Sequence, residues 1–152
     1  MIPDTILKLE TWMKENCYNF SSYSINGNSI YEGNGIEQSD GLFTWYYTER
    51  GEKKILRSFH SEKEIVEFAY NEVRADRWAR THCIGFTTDP AEINQLTAIL
   101  TELKIEYIND EIPHFYGLNQ PVYRTFVLGC DVSKTLHLRD QYFKDTYYKE
   151  LQ

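Results

Sequence analysis

The sequence predicts an α+β fold: a single domain over residues 1–152, in which an antiparallel or mixed sheet packs against three to four helices. The length is ordinary for one domain, and a chain of this size buries most of its apolar surface without disulfides or metals. Apolar residues follow helical spacing in some segments and strand-like patterns in others. Two consecutive strand pairs stand beside separate helical segments, which is typical of α+β proteins and not of doubly wound sheets.

The first predicted helix follows from a stripe of apolar residues at steps of four, three and four. The stripe consists of Ile2, Ile6, Leu9 and Met13. Asp4 is the candidate N-cap, and the helix is expected to end near Asn16. The next stretch, 19–35, is rich in Ser, Asn and Gly, and we expect irregular structure there apart from a short strand at 29–32.

A β-hairpin is predicted from 42–49 (LFTWYYTE), which is dense in aromatic and β-branched residues, and 54–59 (KILRSF) after a polar connection. Ser61 and Glu64 then have the spacing of a capping box ahead of an amphipathic stripe. The stripe is formed by Ile65, Phe68, Ala69 and Val73. It predicts a long helix that runs to about Arg80.

Strands and helices are also predicted in the second half of the chain. The predicted strands are 83–87, 105–108 and 122–129. Asp89 as a cap and Pro90 in the first turn begin a helix between the first two of them. Its apolar stripe is Ile93, Leu96, Leu100 and Leu103. A terminal helix is expected from Ser133 onward.

The charge of the chain is negative and unevenly distributed. The net charge is −7, and the first three blocks of forty residues carry −4, +1 and −5. Such a balance disfavours direct binding to nucleic acid, whose phosphates require basic surface, and favours a cationic protein partner. Acidity that serves solubility alone is the alternative. Arg74, Arg77 and Arg80 share one side of the long predicted helix with acidic neighbours, which indicates a solvated face of mixed charge.

The cysteines and the first residues predict a cytoplasmic protein. Cys17, Cys83 and Cys130 are odd in number and lack metal-ligand spacing, so all three are expected to be free thiols. The segment MIPDTILKLETW contains an acid and no long apolar run, so neither a signal peptide nor a membrane anchor is expected.

The chain contains histidines that could act in catalysis, but their spacing matches no recognised catalytic or metal-binding motif. The histidines are His60, His82, His114 and His137. His82 and Cys83 are adjacent on a predicted strand and would point to opposite faces, so they would not form a Cys–His nucleophile pair. His114 lies near Asp110 and Glu111 but has no Ser or Cys nucleophile close by. We therefore predict no catalytic residue, no metal ligand and no cofactor.

Two regions are predicted to bind a partner. The segment 109–121 has no helix or strand pattern, and a connection of that length in a compact domain is usually functional or mobile. It combines acids with aromatic residues, the composition of a protein interface; its candidate contacts are Asp110, Glu111, Phe115 and Tyr116. In the alternative interpretation, the loop folds back and its apolar residues cap the core.

The second region is an acidic cluster ahead of the aromatic strand. Its candidate contacts are Glu32, Glu37 and Asp40. Gly33 and Gly35 lie between these acids, and we expect them to form a turn and not a phosphate cradle.

Several segments together resemble a family of small bacterial immunity proteins that protect cells from polymorphic, contact-dependent toxins. They are IYEGNGIEQSDGLFTWYYTERG, the helix that follows it, RTHCIGF and YRTFVLGCD. The resemblance implies an inhibitor in the cytosol that binds a cognate toxin domain, commonly a nuclease or another cationic enzyme, and blocks it. It implies no catalytic residues.

Two other classes of protein stay open. A small enzyme of unrecognised class would use His82 or His114 with nearby carboxylates, and it would hold a titrating histidine in a deep polar pocket. A homodimeric adaptor would present a large, self-complementary apolar patch.

Overall fold

The computed structural model describes residues 1–115 and 119–144, and it confirms the α+β class. The chain divides into two compact units, Met1–Arg80 and the residues from Thr81 onward. Each unit has its own sheet, so the strands form two sheets and not one. Among the described residues, no helix is both long and apolar enough to cross a membrane.

The first unit is a four-stranded sheet with two helices. Its helices are α1 (Ile6–Glu15) and α2 (Glu62–Ala75), and its strands are β1 (Tyr23–Ser24), β2 (Gly33–Ser39), β3 (Leu42–Glu49) and β4 (Glu52–Phe59). The strand order is β1-β2-β3-β4, in which β1 pairs parallel with β2 and the other neighbours are antiparallel. A 3-10 turn, Arg77–Arg80, ends the unit.

Two tight turns set the register of this sheet. Asp40 and Gly41 connect β2 to β3, and Arg50 and Gly51 connect β3 to β4; all four residues have positive φ. Two-residue loops with both central residues at positive φ match the right-handed twist of paired strands. The predicted hairpin is therefore confirmed, and its second strand begins two residues earlier than expected.

The core of the first unit lies between one face of the sheet and the two helices. Trp45 on β3 packs edge-on against Phe68 of α2, with ring centroids 5.6 Å apart. It also stacks near Tyr23, at 6.2 Å. Leu9, Met13, Ile65, Val66, Ala69 and Val73 fill the rest of this core and are fully buried. Apart from Ile2, which precedes α1 and is exposed, the apolar stripes of both predicted helices thus face this core.

The second unit is a three-stranded antiparallel sheet with helices α3 (Pro90–Glu102) and α4 (Leu136–Tyr142). Its strands are β5 (Thr81–Thr87), β6 (Tyr107–Ile112) and β7 (Val122–Leu128), in the order β5-β7-β6. A 3-10 segment, Gly129–Lys134, precedes α4. Ile84, Leu96, Leu100 and Val127 are fully buried in one cluster, and Phe86 and Val122 in another.

The start of α1 differs from the sequence prediction because a different side chain is the N-cap. α1 begins at Ile6 because Thr5, and not Asp4, accepts the hydrogen bond from the Lys8 amide; Ile2 is left exposed. Ser61 and Asp89 are the N-caps of α2 and α3, as predicted.

The end of α2 is also corrected, because the helix stops at Ala75 and does not reach Arg80. The Asp76 carboxylate accepts hydrogen bonds from the Trp78 amide and the Tyr23 hydroxyl, which fix the chain in an extended turn. The three arginines therefore do not share one side of a helix.

Two predictions for residues 29–35, a strand and a turn, are wrong. Residues 29–32 form no strand, and Gly33 and Gly35 lie in β2 and not in a turn. Glycine is required in β2 because the chain approaches its neighbours closely: a Cβ on Gly35 would meet the Tyr46 hydroxyl and lie 2.9 Å from the Ser24 carbonyl oxygen. Glycine in a strand can mark close approach of a neighbouring group, but in the sequence alone it indicates a turn or loop.

Replacing Gly35 with alanine should destabilise the first unit by about 1–3 kcal/mol, because Tyr46 must move to admit the methyl group. Ser39 at the end of the same strand is exposed, and Ser39→Ala should change the free energy of unfolding by less than about 0.5 kcal/mol. Chemical denaturation of both variants measures the difference. Equal stabilities would contradict the close packing of β2 on Tyr46.

Candidate functional site

The predicted loop is shorter than expected, and its first acid has a partner within the chain. Residues 109–112 belong to β6, where Asp110 lies directly opposite Arg124 on β7. Arg124 donates from Nε to Asp110 Oδ1 at 2.8 Å and from a terminal nitrogen to Oδ2. This bidentate geometry is the strongest form of a carboxylate–guanidinium pair. Asp110 is therefore a cross-strand contact of the sheet, whereas Glu111 beside it is exposed.

Phe115 is not available as an exposed anchor. It is 8% exposed and packs against Phe86 with ring centroids 5.1 Å apart. Phe115 thus packs into the core, as the alternative interpretation of the loop expects for this residue, and its contact with a partner stays a prediction. Tyr116 lies outside the described residues.

The three acids of the other predicted region are exposed, but two of them have partners. Lys53 donates to Glu37 at 2.8 Å, and its ammonium lies 4.3 Å from the centre of the Tyr46 ring. The Tyr47 hydroxyl donates to Glu32, which raises the pKa of Tyr47 to about 12. Asp40 occupies the β2–β3 turn.

The two histidines that an enzyme was expected to use, His82 and His114, both lie in the second unit. His82 is half-buried on β5, and His114 is exposed. In residues 1–115 and 119–144, no group of three or more His, Cys, Asp or Glu side chains is placed to hold a metal ion.

The 3-10 turn separates Arg80, which lies over the Tyr18 ring, from Arg74, which lies over the Tyr70 ring.

The most exposed regular element of the described chain is β4, a site that the sequence analysis missed. It is an edge strand of the first sheet, and each residue from Glu52 to Ser58 is exposed. Ile55 is 60% exposed and Leu56 is 47% exposed. Apolar side chains on an open sheet edge are the features that natural proteins normally cover or avoid.

Basic side chains and a bulge accompany these apolar residues. Lys53, Lys54 and Arg57 lie on β4, and the guanidinium of Arg57 covers the Phe68 ring at 4.7 Å. The pairing with β3 shifts between Trp45 and Tyr46, so that Leu56 has no residue opposite it. β-bulges of this kind bend an edge and redirect its side chains, and they are frequent next to functional sites.

A shallow cavity lies at the tip of the same hairpin. Its volume is about 430 Å³, and it is lined by Tyr47, Glu49, Arg50, Glu52, Lys53 and Lys54. The tip therefore combines an aromatic wall with charges of both signs. We refer to residues 52–58 together with this tip as the β4 surface.

The cysteines differ from the sequence prediction. The expectation of three free thiols is wrong: Cys17 and Cys130 are each oxidised in a disulfide, and Cys83 is a free thiol. Burial raises the pKa of the Cys83 thiol to about 11, although the positive charge of Arg124 acts in the opposite direction. Cys83 is thus protonated at neutral pH and is a poor nucleophile. The odd count excluded pairing of all three cysteines within the chain, but it did not exclude that two of them are oxidised.

Comparison with protein-family models, curated proteins and solved structures finds no match for this chain.

Thiol titration should find one reactive cysteine per chain in denaturant without reductant, and three after reduction. In the folded protein at pH 8, Cys83 should react slowly with iodoacetamide, because a pKa of about 11 leaves on the order of one thiol in a thousand ionised. Three thiols before reduction, or rapid alkylation of the folded protein, would contradict the assignment.

Phe115→Ala should lower the free energy of unfolding by about 3 kcal/mol, because it leaves a cavity beside Phe86. The matched control is Glu111→Ala, an exposed position nearby on the same chain segment, for which the change should stay below about 0.5 kcal/mol. Denaturant unfolding followed by fluorescence gives both values. A stable Phe115→Ala variant would restore this residue as a candidate contact for a partner.

Proposed function

We propose that this protein binds a cognate bacterial toxin domain and neutralises it in a stoichiometric complex, as the resemblance to immunity proteins implies. The observation that carries the proposal is the β4 surface, where Ile55 and Leu56 are exposed among charged residues on an edge strand. Apolar anchors with a polar rim supply much of the binding energy in protein interfaces.

Long-range charge favours a toxin domain of positive net charge. The chain carries −7, and opposite net charges speed the encounter of two proteins. Nucleases, which must approach phosphates, are one class of toxin with this property. The charge of the whole protein thus acts on association, while contacts at the β4 surface act on the lifetime of the complex.

The acids predicted from the sequence contribute unequally to this proposal. Asp40 and Glu111 are exposed and can steer a cationic partner. Asp110 and Glu37 already bind Arg124 and Lys53, so a partner that contacts these acids must replace an existing ion pair. The exposed Lys53–Glu37 pair is worth about 0–1 kcal/mol, and the bidentate Arg124–Asp110 pair costs more to replace, so neither exchange gives much net affinity.

The test uses a candidate toxin domain chosen from the genes that neighbour this one, with calorimetric titration and growth rescue of cells that express the toxin. Replacing Ile55 and Leu56 together with serine should weaken binding at least about tenfold, because two apolar anchors are lost. The matched control is Leu7→Ser with Leu103→Ser, two other leucines that are more than half exposed. This control should bind and rescue as the wild type does.

Both double variants must have the thermal stability of the wild type before their affinities are compared. Failure of the wild-type protein to bind or to rescue would remove the proposed function for that pair. Binding that tolerates the β4 substitutions and is lost in the control would place the interface elsewhere on the chain.

A further inference from the structure

We infer that β4 binds an extended, acidic segment of the partner as an additional strand of the sheet. The inference rests on the proposed function for the identity of the partner. It adds the mode of binding, main-chain pairing at a sheet edge, and the chemistry of the segment that is bound.

The two edges of the first sheet are different in length. β1 pairs with β2 over two residues, whereas β4 is eight residues long and pairs with β3 along its whole length apart from the bulge. Among the described residues, no strand pairs with the outer side of β4. That side therefore presents main-chain N–H and C=O groups that an extended segment can satisfy.

Side chains on both faces of β4 are accessible to an added strand. Ile55 lies opposite Tyr46, whose ring is on the face that carries Lys53. Arg57 lies opposite Trp45, on the face covered by α2. An added strand would therefore place alternate side chains beside Ile55 on one face and beside Arg57 on the other.

The charges of β4 select an acidic segment. Lys53 is already paired with Glu37. Within residues 1–115 and 119–144, no carboxylate pairs with the exposed Lys54 or with Arg57, whose guanidinium lies on aromatic rings. Carboxylates opposite these residues would form favourable cross-strand pairs, and basic residues would be repelled.

The same charges disfavour a second copy of this chain as the occupant. Antiparallel pairing of two β4 strands about Ile55 and Leu56 would bring the apolar residues together, but it would set Lys54 of one copy against Arg57 of the other. Like charges directly opposite each other destabilise a strand pair. Lysines on an edge are also a common device against self-association.

An acidic segment is compatible with a toxin domain of positive net charge. Steering depends on the summed charge at distances of about a Debye length, roughly 8–10 Å, whereas strand pairing depends on the residues directly opposite. The partner is therefore expected to be basic overall and acidic in the segment that pairs with β4.

Amide hydrogen exchange of the wild-type protein with and without that candidate toxin domain tests the pairing. Exchange of residues 52–58 should slow at least about tenfold in the complex, because their outward N–H groups become hydrogen-bonded. The peptide that covers 97–103, at the end of α3, is the internal control and should not change. A tight complex in which β4 exchanges at the free rate would overturn the inference and leave the proposed function intact.

Charge reversal on β4 tests whether the partner segment that pairs with it is acidic. Lys54→Glu should weaken the complex about fivefold, because a carboxylate would then face the acids of the partner. Lys63→Glu, at an exposed lysine on α2, changes the net charge equally and should leave affinity unchanged or strengthen it. Unchanged or stronger binding by Lys54→Glu would overturn the acidic assignment, and a wild-type dimer joined through β4 would replace the partner with a second copy.

Should the wild-type protein not bind that toxin domain, synthetic peptides test the edge directly. One peptide has the length of β4 and alternates glutamate with valine, and its match alternates lysine with valine. The acidic peptide at millimolar concentration should slow exchange in 52–58 more than the basic peptide does. Equal effects, or none, would overturn the inference without reference to any toxin.

Discussion

Trp45 holds the first unit together, because it joins the sheet to helix α2 and to the short strand β1 at one point. Its ring lies against Phe68 and near Tyr23, and the Tyr23 hydroxyl in turn donates to Asp76 at the end of α2. Rigid contacts of this kind fix the distance between helix and sheet. In the same sheet β3 lies between β2 and β4, and β4 is an edge strand.

One-sided burial explains why the β4 surface is open. α1 and α2 pack on the side of the sheet that carries Trp45. The contacts of β4 with these helices are mainly those of Arg57 and Phe59 with the Phe68 ring of α2. The remaining side chains of β4 extend away from the core. An antiparallel sheet tolerates this arrangement because its second face can be hydrated.

Local signals made much of the fold predictable from the sequence. The Ser61 capping box and the Asp89–Pro90 start of α3 act within one helical turn, and the hairpin turns depend on two residues each. β2 could not be recognised, because Gly35 is required by the distant Tyr46 ring, and single-residue propensity assigns glycine to turns.

The candidate contacts were harder to predict because exposure depends on residues far apart in the chain. Asp110 and Phe115 are residue types that are frequent in protein interfaces. Within this chain, however, Asp110 is paired with Arg124 and Phe115 packs on Phe86, and both of these contacts come from other strands. For β4 the available signal was the segment KKILRSF, in which charged and apolar residues do not alternate as they would on a half-buried strand. Lack of alternation indicates that neither face is strictly a core face, but it does not reveal which edge is open.

The exposure of β4 separates the residues that maintain the fold from those available for recognition. Lys54, Ile55 and Leu56 contribute no side chain to the buried clusters, so exchanging them for other residues of good strand propensity should cost little stability. Sequence drift at these positions is therefore nearly neutral for folding while it alters which segment the edge accepts. A lineage of such proteins can diverge in partner choice on an unchanged scaffold, one surface substitution at a time.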